Sequence, residues 1–246
     1  MRLSPRGLAR RWRQLKGRLR ARFTIRLGAI AMAVASVTGM TPVVAQTTEA
    51  DAVSFFRAAQ VDNAGRIRPL LSRGLDPNVR DPVRGETGMI VALRYDAMEV
   101  FQLLLSQPKT DLDAKAANGD TALMMAAYRK NLPAVQALIA KGAQVNRPGF
   151  TALHYAAAAG ALDVMRLLLD QHAYIDAESP SGVTPLMLAA REGQEDAVKL
   201  LLEEGADATL RDGGFHIDAA EFADRADKPW IAKTIRHFQA EQLMRR

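Results

Sequence analysis

The feature that most constrains the fold is a sequence repeat with a period of about 33 residues. Equivalent positions follow one another in steps of 34, 34, 30, 33 and 34 residues, at Val53, Thr87, Thr121, Thr151, Thr184 and Asp218. An independent measure gives the same result. In five of the units, the first small residue of the first helix and the residue that ends the second helix are 16 residues apart, as are Ala189 and Gly205. A unit of this length cannot bury its apolar face alone, so the pattern predicts a stack of units that share one core.

The stretch from Gly182 to Gly205 shows what one unit contains. Thr184 can cap a helix that starts at Pro185, and Gly205 can adopt the left-handed conformation that ends a second helix. Between these signals apolar residues recur at helical spacing, at Leu186, Ala189, Ala190, Ala197, Val198, Leu201 and Leu202. Each unit is therefore predicted to be two short helices joined by a turn.

The motif that starts each unit carries a resemblance to a known family. It is Thr-Pro-Leu-Met-Leu-Ala-Ala at 184–190, Thr-Ala-Leu-His-Tyr-Ala-Ala at 151–157 and Thr-Ala-Leu-Met-Met-Ala-Ala at 121–127. Together with endings such as Lys141-Gly142-Ala143, these segments resemble the ankyrin repeat. The resemblance covers residues 51–240 and implies an all-α ankyrin-repeat solenoid of about six helix-turn-helix units with β-hairpin-like loops. The predicted units lie near residues 51–83, 84–116, 117–148, 149–180, 181–212 and 213–240.

Two departures from the ankyrin pattern are expected to change the loops. Only residues 147–150 lie between Asn146 and Thr151, about three residues fewer than between Asp176 and Thr184. We therefore expect one truncated loop and a gap in the row of loop tips. In the second unit, Pro108-Lys109-Thr110 replaces the usual Gly-Ala ending and adds a residue, which predicts a bulge. The first and last units lack parts of the motif and are expected to be capping repeats.

Residues 1–48 differ in composition from the rest of the chain. They contain nine Arg and one Lys but no acidic residue, and residues 27–48 carry no charge. A basic region up to Arg26, an apolar segment to about Met40 and the small residues Val43-Val44-Ala45 are typical of an export signal. We predict a cleavable signal peptide at 1–45, a short linker at 46–50, a periplasmic repeat domain at 51–240 and a tail at 241–246.

Other interpretations of this leader stay open. The 19 residues from Leu27 to Ala45 are long enough for an uncleaved inner-membrane anchor that would hold the repeats facing the periplasm. An organellar presequence fits less well, because the apolar block is too uniform for an amphipathic helix. The Arg10-Arg11 pair has a weak likeness to a twin-arginine signal, although Arg13 stands where that motif has an apolar residue.

Charge and cysteine content exclude several classes of function. Without residues 1–48 the chain has 23 basic and 27 acidic residues, a net charge of −4, so the high isoelectric point belongs to the leader. The repeat domain therefore shows no basic footprint of nucleic-acid binding. The absence of cysteine excludes disulfides, thiolate catalysis and cysteine-bound zinc. The Gly213-Gly214 pair lacks the Lys-Ser/Thr and the further glycines of a phosphate-binding loop.

The four histidines, His154, His172, His216 and His237, give little support for catalysis. At the position of His154 the resemblance implies an imidazole that hydrogen-bonds across the turn between repeats, and Met124 and Met187 fill this position in neighbouring units. His172 replaces a helix-ending glycine, and with Asp176 it would supply only two ligands of a metal site. We therefore predict no catalytic residue, no metal and no cofactor. A hydrolase that uses His154 or His172 is the alternative.

The resemblance implies that the concave face, formed by loop tips and first helices, binds another protein. The positions that map to this face, which we name the stripe, are Arg94, Tyr95, Met125, Tyr128, Arg129, Tyr155, Leu188 and Arg191. Three of the four tyrosines lie in the stripe, and Tyr and Arg are residue types that often dominate interface energy. Packing between repeats is the alternative role for Tyr155 and Met125.

The sequence therefore predicts a non-catalytic, monomeric module that binds a partner protein in the periplasm. Binding to nucleic acid is not expected, nor is membrane insertion once the signal is cleaved. A membrane-tethered ankyrin scaffold with an uncleaved anchor is the main alternative.

Overall fold

The computed structural model describes residues 48–244. The predicted signal peptide at 1–45 lies outside this range, as do residues 46–47 of the predicted linker and residues 245–246 of the predicted tail. Within the described range, twelve helices follow one another as six pairs. The pairs are α1 (Glu49–Gln60) with α2 (Ala64–Ser72), α3 (Gly88–Arg94) with α4 (Met98–Leu105), α5 (Ala122–Tyr128) with α6 (Leu132–Ala140), α7 (Ala152–Ala159) with α8 (Leu162–Asp170), α9 (Pro185–Glu192) with α10 (Glu195–Glu203), and α11 (Ala219–Arg225) with α12 (Pro229–Met244).

The first helix of each pair begins at a capping residue that the repeat marks. The N-caps of α3, α5, α7, α9 and α11 are Thr87, Thr121, Thr151, Thr184 and Asp218. In α9 the Thr184 hydroxyl accepts the backbone N–H of Met187, and in α11 the Asp218 carboxylate accepts that of Glu221. These bonds satisfy donors that a helix start leaves unpaired.

The two ends of the repeat array differ in detail from the predicted boundaries. Thr48 caps α1, so the cap lies five residues before the Val53 marker and inside the range 46–50 that we predicted as a linker. At the other end, α12 continues to Met244, inside the range 241–246 that we predicted as a tail. Both end units therefore have a longer helix than the internal units.

Four of the second helices, α2, α6, α8 and α10, are followed by a residue in the left-handed conformation. After α6 and α10 this residue is a glycine, Gly142 or Gly205, each with φ of 95°. After α8 it is His172, with φ of 60°, as predicted from its place in the repeat. An asparagine of the preceding unit, Asn146, holds this turn by donating to the carbonyl of His172 at 2.7 Å and accepting the N–H of Tyr174 at 2.8 Å.

The core is one continuous layer made by neighbouring pairs. Each first helix from α3 to α9 contacts the first helix of the next pair. Pairs of alanines with no exposed surface lie at these contacts, at Ala126, Ala127, Ala156, Ala157, Ala189 and Ala190. Only a methyl group fits between backbones packed this closely. Leucines of the second helices complete the layer, and Leu104, Leu138, Leu168 and Leu201 are fully buried.

The loops that join one pair to the next, which we name finger loops, show the predicted truncation. Four of the five close a turn with a backbone hydrogen bond of 2.8 to 3.0 Å, from Asp81 to Glu86, Ala116 to Asp120, Ser179 to Val183 and Asp212 to Ile217. The loop at 141–151 has no equivalent bond. Paired backbone in the described range amounts to one isolated antiparallel bridge, between Arg80 and Thr87.

Neighbouring finger loops are also tied to one another, except at the truncated loop. The N–H of Ala117 donates to the carbonyl of Arg84 at 2.9 Å, and that of Gly213 donates to the carbonyl of Ser181 at 2.8 Å. These bonds link the first loop with the second and the fourth with the fifth. Between the two linked pairs, residues 147–150 form no hydrogen bond with any described residue.

Across residues 48–244, no helix is both long enough and apolar enough to span a membrane.

Candidate binding surface

The exposed part of the stripe begins with two tyrosines at the carboxyl ends of first helices. Tyr95 follows α3 and Tyr128 ends α5, and 53% and 52% of their surfaces are exposed. Both are large aromatic residues in a domain whose other apolar residues are mostly buried. A half-exposed tyrosine forgoes the stabilisation that burying its ring would give. Exposed aromatic side chains of this kind are typical of a surface that binds a partner.

Tyr155 occupies an intermediate position between core and surface. Its ring packs edge to face against Tyr128, with 6.3 Å between ring centroids, and its hydroxyl donates to the carboxylate of Asp120 in the preceding finger loop. Burial and, next, the hydrogen bond to Asp120 raise the pKa of Tyr155 well above its ordinary value. The phenol therefore remains a neutral donor, and this bond fixes the ring that supports Tyr128.

The three arginines of the stripe have different surroundings. Arg94 is bound by both side-chain oxygens of Glu86, a nearly buried carboxylate. Arg191 pairs with its exposed neighbour Glu192 at 2.9 Å. Arg129 forms no ion pair with any residue in the described range. Of these three cations, Arg129 is the one whose charge the structure leaves uncompensated.

Two residues of the stripe lie beneath the surface. Met125 is 4% exposed and belongs to the hydrophobic core, and Leu188 is 6% exposed. Met125 therefore takes the packing role that we considered as the alternative. Leu188 also lies at the floor of a groove that connects three units.

This groove has a volume of about 460 Å³ and lies beside the truncated finger loop. Its lining includes Tyr128, Tyr155, Leu188 and Arg191 of the stripe together with Phe150, His154, Ala158, Ser181, Val183 and Glu192. Phe150 is 40% exposed and packs edge to face against both His154, at 5.3 Å, and Tyr155, at 6.3 Å between centroids. Three aromatic side chains therefore line one open recess, together with polar side chains such as Ser181, Arg191 and Glu192.

Two local features of the fourth unit open the groove. The loop before α7 is truncated, so Phe150 lies directly before the cap Thr151. A finger loop of full length, which could cover Phe150, is missing here. The small Ala158 occupies the position that Tyr128 and Arg191 hold in the adjacent units. Sequence reasoning found the short loop but missed Phe150 and Val183 as surface residues. The signal for them was the truncation itself, since shortening a loop uncovers what it would have covered.

His154 forms the deepest wall of the groove and has a structural role. It has no exposed surface, its Nδ1 accepts the backbone N–H of Thr151 at 3.1 Å, and its Nε2 donates to the carbonyl of Val183 at 2.9 Å. Burial lowers the pKa of His154, so the ring is neutral at neutral pH. Both ring nitrogens are engaged, and neither is available to a substrate. The bond to Val183 spans two units, as the resemblance implied.

The remaining titratable groups do not converge on a reaction centre. In the part of the chain that the structure describes, no group of three or more His, Asp or Glu side chains could hold a metal ion. Of the three carboxylates with lowered pKa values, Asp81 and Asp212 accept backbone N–H groups within their own finger loops, and Asp51 accepts that of Thr48 at the start of α1. These groups stabilise the local backbone of turns and a helix start.

Comparison with known proteins agrees with this architecture. A family profile described as "Ankyrin repeats (3 copies)" matches residues 55–149 and 147–212, more than half of the chain. The chain belongs to the ankyrin-repeat family. Ankyrin repeats are protein–protein interaction modules, so this ankyrin-repeat protein carries a module of that kind.

Several curated proteins are similar to this ankyrin-repeat protein over part of their length. Neurogenic locus notch homolog protein 1 of Xenopus tropicalis is 36% identical over 147 residues, which are 58% of this chain and 6% of that protein. Protein fem-1 homolog A-like of Mus musculus is 33% identical over 56% of this chain and 21% of its own length. Transient receptor potential cation channel subfamily A member 1 of Homo sapiens is 30% identical over 61% of this chain and 14% of its own length. The chain thus spans between 6% and 21% of these relatives.

Proposed function

We propose that this ankyrin-repeat protein is a non-catalytic module that binds another protein through the exposed residues of the stripe and the adjoining groove. The observation that carries the proposal is the exposure of three aromatic side chains: Tyr95 and Tyr128 at the carboxyl ends of successive first helices, and Phe150 beside the next first helix. The core is packed without the exposed surfaces of these rings, so this exposure does not stabilise the free protein.

The residue types of this surface suit a protein partner. Tyrosine and arginine combine a large contact area with polar ends, and a few such residues usually supply most of the energy of an interface. Tyr155 packs edge to face against the exposed rings of Tyr128 and Phe150. A partner would therefore meet side chains that are already ordered, which lowers the entropic cost of binding.

We further propose that the module acts in the periplasm. This proposal is supported by the leader, in which a basic region precedes an apolar segment and small residues near Ala45. It is supported also by the absence of cysteine, which suits an oxidising compartment.

The binding proposal is tested by crosslinking the protein to its partners in cells and identifying what is captured. We expect the Tyr95→Ala and Tyr128→Ala variants to lose a partner that the wild type captures, because each removes a half-exposed aromatic contact. Tyr174→Ala is the matched control, since Tyr174 is 67% exposed but lies outside the stripe. Undiminished capture by both stripe variants would show that another surface binds the partner.

The location proposal is tested by fractionating cells and determining the amino terminus of the protein by mass spectrometry. A periplasmic protein that starts near Gln46 is the expected result, since the cleavage signal precedes this residue. An intact Met1 in the membrane fraction would replace the proposal with a tethered scaffold. A cytoplasmic protein would contradict both.

A further inference from the structure

We propose that the truncated finger loop is a hinge between two blocks of the repeat array, residues 48–146 and residues 151–244, and that the hydrogen bond from Tyr155 to Asp120 holds this hinge closed. The first block contains helices α1–α6, and the second contains α7–α12. The hinge belongs to the free protein, whether or not the stripe binds a partner.

Few hydrogen bonds join the two blocks. Within residues 48–244 there are three. Two involve Asn146, whose side-chain amide donates to the carbonyl of His172 and accepts the N–H of Tyr174. The third runs from the Tyr155 hydroxyl to the Asp120 carboxylate. No ion pair between described residues crosses from one block to the other.

These bonds tie different layers of the array. Asn146 follows α6 and binds the turn after α8, so it joins the layer of second helices. Tyr155 lies in the first turn of α7, and Asp120 directly precedes the N-cap of α5. Their bond therefore joins the layer of first helices, at the end where these helices meet the finger loops.

The steps on either side of the hinge are tied differently. Those from α3 to α5 and from α9 to α11 carry the backbone bonds between neighbouring finger loops. The step from α7 to α9 carries two side-chain bonds. His154 donates to the carbonyl of Val183 at 2.9 Å, and Gln194 donates to the carbonyl of Ala158 at 3.2 Å. The step from α5 to α7 relies instead on the single side chain of Tyr155, because the loop that would carry the backbone bonds is truncated.

Apolar packing continues across the hinge and provides its pivot. Ala126 and Ala127 of α5 are fully buried at the contact with α7, as are Ala156 and Ala157 of α7. Apolar contacts have no preferred direction, whereas a hydrogen bond restricts both distance and angle. Loss of the Tyr155 bond therefore lets the second block tilt about the alanine contacts, and the finger loops on the two sides move apart.

The hinge divides the stripe between the two blocks. Tyr95 and Tyr128 lie in the first block, and Leu188 and Arg191 lie in the second. Opening of the hinge therefore changes the spacing of the residues that the stripe presents.

The hinge is tested by measuring distances between pairs of spin labels in the purified protein. The chain has no cysteine, so the labels attach only where cysteines are introduced. Lys115→Cys with Phe215→Cys places one label in each block, at exposed residues of the second and the last finger loop. Val83→Cys with Lys115→Cys places both labels in the first block. With Tyr155 present we expect a narrow distance distribution for both pairs, and a broad one for the pair that spans the hinge would show that the hinge is not held closed.

We expect Tyr155→Phe to broaden the distribution of the spanning pair and to shift it to longer distances, because the variant keeps the ring but loses the bond to Asp120. The pair within the first block should not change. Tyr128→Phe is the matched control, since the Tyr128 ring packs against Tyr155 but its hydroxyl forms no hydrogen bond with a described residue. An unchanged spanning pair in Tyr155→Phe, or equal broadening in Tyr128→Phe or within the first block, would overturn the proposal.

A loop graft separates the truncation from the tyrosine bond. Residues 147–150 are replaced by the sequence of residues 177–183, which gives a full-length finger loop that can bond to its neighbours. In this background Tyr155→Phe should leave the spanning pair as narrow as it is in the wild type. Equal broadening with and without the graft would show that the short loop does not create a hinge.

Phe150→Ala provides a second variant should Tyr155→Phe lose helix content in circular dichroism. Phe150 is 40% exposed and packs edge to face against Tyr155, so its removal leaves the core filled but frees the ring that carries the hydroxyl. We expect the spanning pair to broaden less than in Tyr155→Phe and the pair within the first block to stay narrow. A spanning pair that stays as narrow as in the wild type would contradict the proposal.

Discussion

At the scale of single residues, His154 shows how one position of the repeat serves different side chains. In α9 the equivalent Met187 places its sulfur 3.4 Å from the N–H of Thr184, and in α7 the imidazole accepts the N–H of Thr151. The histidine adds a bond to Val183 that a methionine does not make. The same place in the sequence therefore caps a helix in both units but joins two units only through His154.

The His154→Met variant tests this role through pH. At neutral pH we expect it to be less stable by about 1 kcal/mol, because the bond to Val183 is lost. Burial lowers the pKa of His154 in the folded state, so the unfolded chain takes up a proton first as the pH falls below about 6.5. The stability advantage of the wild type should therefore shrink from pH 7.5 to pH 5 in urea unfolding experiments. An advantage that is constant over this range would contradict the assigned burial.

At the scale of elements, α3 differs from the other first helices at its first residue. Gly88 stands where other units carry Ala122, Ala152, Pro185 or Ala219. A Cβ at residue 88 would lie 2.3 Å from Cε1 and 2.5 Å from Cζ of Phe55, which is fully buried against it. The phenyl ring of Phe55, from the capping unit, thus occupies the space that a methyl group fills in the other units.

We expect Gly88→Ala to destabilise the protein by about 1–3 kcal/mol, because the extra methyl group overpacks the core around Phe55. Alanine is the better helix former, so helix propensity alone predicts the opposite sign. Gly65→Ala in α2 is the control: its Cβ would meet only Asn63 Oδ1, at 3.5 Å, and the variant should be as stable as the wild type or more so. Thermal unfolding of the two variants distinguishes these effects. A stabilised Gly88→Ala variant would show that Phe55 can move aside.

The first and the last finger loop are each held by one carboxylate, Asp81 and Asp212. Asp212 is buried, which by itself would raise its pKa, but the N–H groups of Ile217, Phe215 and Gly214 bind the carboxylate and lower its pKa below the ordinary value. Its stabilising contribution is therefore complete above about pH 4 and is lost as the pH falls through the lowered pKa. The last finger loop is held mainly by this side chain.

We expect Asp212→Asn to lower the stability by about 1–3 kcal/mol at neutral pH, since an amide offers one acceptor oxygen where the carboxylate offers two. In acid the wild type loses the same advantage, so the two proteins should converge. Asp163→Asn on the exposed face of α8 is the control and should change little. Urea unfolding at pH 7 and pH 3 provides the measurement. A difference that persists in acid would show that charge is not the cause.

At the scale of the whole molecule, stability accumulates from contacts between neighbouring units. The last pair, α11 and α12, covers α9 and α10 with the buried residues Ala223, Ile231 and Ile235. Ending the chain after Arg211 removes this cover. We expect a lower free energy of unfolding and a urea m-value smaller by about a sixth, because m scales with the surface exposed on unfolding. A chain that ends after Glu241 keeps the packed part of α12 and should behave as the wild type. Equal m-values would show that the last pair does not unfold with the rest.

The sequence predicts this architecture well because the same helix-capping and packing residues recur in successive units. Thr121, Thr184 and Asp218 are N-caps as their spacing indicates, and Ala126 and Ala189 lie at the predicted close contacts. The helix pattern does not predict side-chain burial or packing, because these depend on residues that are distant in the sequence but close in the fold.

The burial of Met125 and Leu188 could not be predicted from the sequence, because a position in the motif does not indicate how much of the side chain the next unit covers. The packing at Gly88 could not be predicted either, since only the structure brings Phe55 to that site. The groove shows both limits of prediction, because Phe150 and Val183 are far apart in sequence and line the same recess only in the folded structure.

That short loop has one consequence for the history of the family. Residues 147–150 are bonded to no other described residue, while the helices on either side begin and end as in the other units. Insertions and deletions accepted here would leave the core intact, so closely related genes should differ in length at this place before they differ elsewhere. Natural variation would then reshape what the protein recognises while leaving its scaffold unchanged.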